Sequence, residues 1–143
     1  MKMQMVEPTG ILNEWKNGNF RFASLDGDAD RLIYFFFDDE KRFKMLDGDR
    51  ISVLFAFHLR KLLRDTGLDS KLKFGVVQTA YANGASTRFL QSNDISVKMA
   101  CTGVKNLHHV AADEYDIGVY FEANGHGTVL FSQFATECID SVG

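Results

Sequence analysis

This 143-residue chain is short of cysteine, of excess positive charge and of long apolar runs, and each shortage removes a class of function. Cys101 and Cys138 stand far apart, with neither a CxxC pair nor a cysteine-histidine spacing around them. That excludes a disulfide framework and a structural zinc site, and it fits a reducing, cytoplasmic setting. Sixteen Lys and Arg against 19 Asp and Glu give a formal charge of −3 and no basic patch, so nothing electrostatic favours nucleic acid or an anionic membrane as partner. The opening "MKMQMVEPTG" has Glu7 and Pro8 where a signal peptide needs an apolar core, and no stretch approaches the roughly 18 uninterrupted apolar residues of a membrane span. Repeats and low-complexity linkers are missing as well.

What remains is the composition of a folded globular chain, 45% hydrophobic with 13 Phe, at about the length of one domain and long enough to bury a core. "NFRFASLDGDADRLIYFFFDDEKRFKMLDG" reads as a strand, an acidic turn, a very apolar strand over 32–37, a polar turn over 38–41 and a return strand over 42–46. The stretch 47–67 opens on the capping residues Asp47 and Asp49 and ends at an arginine and Gly67. Ile51, Leu54, Phe55, Leu59, Leu62 and Leu63 supply its apolar positions, which predicts an amphipathic helix. Beyond it the pattern predicts a strand over 72–80, a helix over 86–94 capped by Ser86, a strand over 95–102, a helix over 104–113, and two strands over 115–125 and 126–132 around a glycine turn. Alternating strands and helices predict an α/β fold, a mostly parallel mixed sheet flanked by helices and preceded by a β-hairpin region.

In such a fold, ligands sit in the crevice beyond the carboxyl ends of the strands, which selects three loops. The first, "DGDADR", sets Asp26, Asp28 and Asp30 at alternate positions with Arg31 next to them. Three ionised carboxylates so close together repel one another, so a cation sits there or the loop is wet. An EF-hand fails, because its sixth and twelfth positions would be Arg31 and Phe37 instead of glycine and glutamate. An aspartyl-phosphate nucleophile fails too, because Ala29 follows the second aspartate where a hydroxyl residue is wanted. A magnesium site with open positions for phosphate or water, or a solvated acidic turn, remains.

The second loop, "TGVK", places Gly103 where backbone can approach a ligand and Lys105 where an ammonium can pair with phosphate; an ordinary helix cap at Thr102 and a solvated lysine satisfy the same letters. The adjacent His108 and His109 point in different directions on a helix, the pattern of one surface and one partly buried histidine, and His58 reads as an ordinary core-helix histidine. In the third loop, strand alternation carries Gly118, Tyr120, Glu122 and Asn124 out on one face, so that Glu122 and Asn124 emerge side by side, a carboxylate acceptor and an amide suited to vicinal sugar hydroxyls, with His126 and the glycines allowing close approach. An Asn-Gly hairpin turn is the plain alternative.

"DGDADR", "VVQTAYANGAST", "TGVKNLHH" and "DIGVYFEANGHGTVLFS" together resemble the successive motifs of the α-D-phosphohexomutases, in the branch that acts on N-acetylglucosamine phosphates. The resemblance implies residues 1–46 as the end of the second domain with its metal-binding loop, and 47–143 as the third, sugar-binding domain, truncated at its C-terminal end. It implies magnesium held by Asp26, Asp28 and Asp30 against a phosphoserine that Arg31 helps to neutralise. Thr102, Gly103, Val104 and Lys105 would line the cleft, and Glu122, Asn124 and His126 would hold the sugar. The activity implied is interconversion of N-acetylglucosamine 6-phosphate and 1-phosphate through a 1,6-bisphosphate, on the route to UDP-N-acetylglucosamine.

Two motifs of that family are missing from these 143 residues: the "TASHNP" type serine loop of the first domain and the "RPSGTE" type phosphate loop of the fourth. Ala100 and Cys101 also stand where charged residues are expected. The chain is therefore expected to need the first and fourth domains as partners and to be inactive alone. A non-catalytic sugar-phosphate-binding or regulatory module is the alternative; a phosphatase-like hydrolase lacks a visible activated nucleophile.

Overall fold

A computed structural model describes residues 7–82 and 84–142. After a short helix α1 (Asn13–Asn17), the strands β1 (Arg21–Leu25), β2 (Leu32–Phe37) and β3 (Phe43–Leu46) form an antiparallel sheet in the order β1-β2-β3. The alternation of β2 serves two packing layers. Leu32 and Tyr34 pack against the main core, while Phe35 and Phe37 are buried among Phe22 and Phe43 on the other face.

The helix α2 (Gly48–Asp65) starts at the expected cap, the Asp47 side chain accepting from the Arg50 N–H at 3.0 Å. Ile51, Ala56 and Leu63 are its buried apolar residues. Leu54, Phe55 and Leu62, expected on its inner face, are exposed, and so is His58. The buried stripe is narrower than the apolar pattern: the helix packs against the strands Phe74–Thr79 and Ile117–Phe121 and the helix Gly84–Ser92, while the exposed Phe55 and Phe57 meet Phe121 and Phe89.

The strands β4 (Phe74–Thr79), β5 (Ser96–Ala100), β6 (Ile117–Phe121) and β7 (Gly127–Phe131) form a mixed sheet ordered β5-β4-β6-β7. β4 runs parallel to β5 and β6, and β7 returns antiparallel to β6. Helices cover both faces. On one face lie α2 and, through the fully buried Leu90 and Ala135, α3 (Gly84–Ser92) and α5 (Gln133–Asp140), over Val76, Ile117 and Val119. On the other lies α4 (Val104–Glu114), whose Leu107 and Ala111 meet Val77 and Tyr120.

Ser86 lies inside α3, not at its start, and its Oγ accepts from the Gln78 side chain at 3.0 Å. That bond, with Thr87 Oγ1 donating to Gln78 Oε1 at 2.7 Å, satisfies an amide that β4 buries. α5 extends the fold beyond the strand expected to end at Ser132, and that serine caps it by accepting from the Ala135 N–H at 3.0 Å. Among the described residues, no helix is long and apolar enough to cross a membrane.

Candidate functional site

The acidic loop joins β1 to β2. Asp26, Asp28 and Asp30 are all exposed, and each offers a carboxylate oxygen within 4.8 Å of the others. The turn is fixed from within: the Ala29 N–H donates to the Asp26 carbonyl at 3.1 Å, and Ala29 itself takes φ +58°. Arg31 closes the loop, its N–H donating to Asp26 Oδ1 at 3.1 Å and its Nε lying 3.5 Å from Asp26 and 3.7 Å from Asp30. Partial desolvation raises the Asp26 pKa, but the Arg31 N–H and guanidinium outweigh it and hold the carboxyl below its ordinary value. Both answers to the charge problem are thus present, a cationic side chain and water.

The donor set fits a hard cation. Magnesium takes oxygen ligands at about 2.0 to 2.1 Å, and three exposed carboxylates already within 4.8 Å of one another need only side-chain rotation to reach one ion. Among the described residues this is the one cluster of three or more acidic, histidine or cysteine groups so arranged.

The loop between β6 and β7 lies directly beside it. β6 ends at Phe121, one residue before Glu122, so Glu122 and Asn124 belong to a turn instead of an alternating strand. Within the turn the Gly125 N–H donates to the Glu122 carbonyl at 2.9 Å, and Asn124 Oδ1 accepts from the His126 N–H at 2.9 Å. Glu122 also reaches the second loop, accepting from the Gly103 N–H at 3.0 Å. Gly103, at φ +116°, precedes the first residue of α4, while Thr102 and Lys105 are exposed and Val104 is half-buried.

Three contacts tie these loops into one unit. Arg31 and His126 form an isolated antiparallel bridge, the Leu32 N–H donates to the Gly125 carbonyl at 3.1 Å, and the Gly48 N–H donates to the Ala123 carbonyl at 3.2 Å. His126 Nε2 stands 3.6 Å from Asp30. The approach is so close that a Cβ on Gly125 would fall 2.2 Å from the Leu32 carbonyl oxygen, and one on Gly48 1.8 Å from that of Glu122.

The candidate residues of the three loops therefore gather at one end of the molecule. Tyr120, His108 and His109 stand with them. Tyr120, buried on β6, holds its hydroxyl 2.8 Å from His108 Nδ1, and His108 and His109 are both exposed, contrary to the expectation of one surface and one partly buried ring. Both rings line a cavity with Val104, Lys105, Tyr120 and His126.

The family model "Phosphoacetylglucosamine mutase AMG1, domain III" matches residues 47–143. A phosphoacetylglucosamine mutase of Saccharomyces cerevisiae is 54% identical over 114 residues, covering 78% of this chain and 20% of its own length. Phosphoacetylglucosamine mutase 2 of Schizosaccharomyces pombe is 55% identical over 143 residues, covering 99% of this chain and 25% of its own. The crystal structure of Aspergillus fumigatus N-acetylphosphoglucosamine mutase, in complex with GlcNAc-6P and magnesium, superposes with a TM-score of 0.82 at 51% identity, covering 87% of this chain and 23% of that one. The chain thus spans about a fifth to a quarter of the length of the curated relatives it matches. By the family match, by these identities and by its α/β fold, the chain belongs to the phosphoacetylglucosamine mutases, as a part of their third domain with residues that precede it.

Proposed function

We propose that this chain supplies the metal loop and the sugar loop of a phosphoacetylglucosamine mutase, which interconverts N-acetylglucosamine 6-phosphate and 1-phosphate through a 1,6-bisphosphate for UDP-N-acetylglucosamine synthesis. The observation that carries the reading is the joint between two loops distant in sequence, Arg31 bridged to His126 and Leu32 hydrogen-bonded to Gly125, which sets the acidic cluster against the polar turn. The boundary between second-domain and third-domain segments falls at 46/47. The end of β3 at Leu46 and the start of the family match at residue 47 support it.

Asp26, Asp28 and Asp30 would hold magnesium, whose charge stabilises the phosphoryl group in transfer. Arg31, now turned onto Asp26 and Asp30, would be released toward a phosphoserine when the ion takes over those carboxylates. Glu122 would accept from sugar hydroxyls with its second oxygen while the first stays on Gly103, and Asn124 and His126 would flank the ring. Thr102, Gly103, Val104 and Lys105 would form the neighbouring wall of the cleft. The setting is cytoplasmic, and the first and fourth domains of the enzyme would complete the site with the serine and the distal phosphate loop.

The test is calorimetric, followed by turnover. Magnesium should bind weakly, more tightly with phosphate present, and Asp28→Ala should remove it; unchanged magnesium affinity in the variant overturns the metal assignment. Given N-acetylglucosamine 6-phosphate, magnesium and a trace of 1,6-bisphosphate, this chain alone should form no 1-phosphate by phosphorus NMR. Positioning and charge stabilisation supply nearly all of phosphoryl-transfer catalysis, and the groups that carry and grip the phosphates are elsewhere. Product above the no-protein control, abolished by Asp28→Ala, overturns the division of labour.

A further inference from the structure

β4 is the middle one of three parallel strands, β5, β4 and β6, whose carboxyl ends lie along one edge of the mixed sheet. The chain leaves β4 toward α3 on one face and leaves β5 toward α4 on the other. Neighbouring strands whose connections part to opposite faces open a crevice between them, the place where α/β sheets receive ligands. Counting two residues past the last registered pairs sets Tyr81 level with Thr102, beyond Thr79 and Ala100, and sets Thr79 level with Glu122, beyond Val77 and Tyr120. The bond from the Gly103 N–H to Glu122 Oε1, 3.0 Å long, joins the residues that follow β5 and β6, so it spans the end of β4 between them. That bridge forms the wall of the crevice on the α4 side, and the turn from Thr79 to Ala82 forms the wall on the α3 side.

The turn is anchored at both ends. The Ala82 N–H donates to the Thr79 carbonyl at 3.0 Å. Just before it, the buried Gln78 amide donates to Ser86 Oγ at 3.0 Å and accepts from Thr87 Oγ1 at 2.7 Å, which pins the first turn of α3 to the end of β4. A short turn between two fixed elements is a rigid platform for a binding group. On it stands Tyr81, 85% exposed and the most exposed of the large apolar and aromatic side chains among the described residues. The other candidate residues at this edge, Glu122, Asn124, His126 and Lys105, bring charge, amide and imidazole, which serve hydroxyls and phosphate. An N-acetylated sugar also carries a methyl group and an apolar ring face. Val104 aside, those residues offer neither of them an apolar surface, whereas tyrosine has an apolar body with a polar tip and suits a wall that is wet along one edge.

We propose that Tyr81 is a specificity-determining residue of the sugar site, its ring forming the apolar wall that receives the acetamido methyl group of the substrate across the crevice from Glu122. The inference rests on the function proposed above and adds to it the group that tells an N-acetylated sugar from a plain one.

The experiment follows the tyrosine ring resonances of the full 143-residue chain by NMR, with magnesium present, during titration with N-acetylglucosamine 6-phosphate and, in parallel, glucose 6-phosphate. The Tyr81 signal is assigned by its loss in Tyr81→Phe. N-acetylglucosamine 6-phosphate should move that signal saturably and show a nuclear Overhauser contact between the ring and the acetyl methyl group. Tyr81→Ala should shrink the preference for the acetylated sugar roughly three- to tenfold, the worth of a buried methyl group with part of a ring face, and Tyr81→Phe should restore it. Restoration by phenylalanine and a change in the ratio of two affinities are readouts that a merely structural tyrosine would not move, and an unchanged amide spectrum elsewhere shows that the fold persists. If the Glu122 and Asn124 signals respond to the sugar while Tyr81 stays still, or if Tyr81→Ala keeps the parent's preference, the assignment of Tyr81 is overturned and the sugar loop stands. If neither sugar phosphate moves the Glu122 and Asn124 signals, the sugar-loop reading falls and the assignment of Tyr81 falls with it.

Discussion

The two sheets of this molecule solve opposite problems. β4 and β6 are buried along nearly their whole length, between helices on both faces, and read as the mainly apolar runs "FGVVQT" and "IGVYF" with no alternation of apolar and polar residues. β1 exposes four of its five residues, and its sheet is held on one face mainly by stacked aromatic rings, Phe22 on Phe35 at 5.0 Å between centroids. The difference teaches where each kind of chemistry can sit. Three adjacent aspartates tolerate one another only in water and beside Arg31, so they hang from the open sheet. The turn that would hold a sugar needs fixed geometry, so it grows from the end of a buried strand.

The largest expected effect sharpens this contrast in stability. Leu90→Ala, at a fully buried position that packs α3 on the mixed sheet, should cost about 2 to 5 kcal/mol, whereas Phe20→Ala beside the open sheet should cost less than about 1 kcal/mol. Urea unfolding of the two variants measures the gap. Equal midpoints would mean that the two sheets share one core and that the contrast is false.

Next in size is the joint between them. A Cβ at Gly48 meets the Glu122 carbonyl, backbone that cannot swing aside, whereas a Cβ at Gly27 in the acidic loop meets nothing within 4 Å. Gly48→Ala should therefore destabilise by about 3 kcal/mol and disturb the turn over 122–126, while Gly27→Ala should stay within about 0.5 kcal/mol. Matching unfolding curves for the two variants would remove the joint from the account.

What the sequence made legible was local. Asp47 and Gly67 marked α2 because caps and left-handed turns are written in one or two residues; Gly67 takes φ +71°. "LIYFFF" marked β2, and the spacing of Asp26, Asp28 and Asp30 marked the acidic cluster between β1 and β2. The joints were not legible. Nothing near Arg31 points to His126, and nothing near Gly48 points to Ala123, because these pairings are made by tertiary packing and leave no periodicity. α5 was missed although Ser132 is a good cap, since a strand ending on serine satisfies the same letters. His108 and His109 were judged by helical direction alone, and the cavity beside α4 is wide enough to receive both.

A third and intermediate effect separates the loops by ligand. Glu122→Gln and Asn124→Ala should each weaken binding of N-acetylglucosamine 6-phosphate by about 1.5 to 3 kcal/mol, roughly one to two decades, and leave magnesium affinity unchanged, as calorimetry with each ligand in turn would record. Loss of magnesium along with the sugar would show that the bridge between Arg31 and His126 transmits more than position, and would merge the two loops into one site.

The smallest effect tests whether the open sheet relies on charge where the mixed sheet relies on burial. Asp38, in the turn between β2 and β3, accepts from the Arg42 N–H at 2.9 Å and from Arg42 Nε at 2.8 Å, and Lys44 Nζ lies 3.3 Å away. Desolvation raises its pKa, but the Arg42 and Lys44 bonds outweigh that and hold the carboxyl at about 2, below the ordinary aspartate value near 4. A group whose folded pKa is depressed contributes stability that is complete above its unfolded pKa and is lost as pH falls through the folded one. The contribution of Asp38 should therefore be constant above about pH 5, fade from about pH 4 downward and be gone below about pH 2. Following the side-chain carboxyl carbon of Asp38 by NMR should give a midpoint near 2, and the stability difference between the parent chain and Asp38→Asn should shrink over the same interval. A midpoint near 4 would show that the turn is not clasped in solution, and the open sheet would then depend on its aromatic face alone.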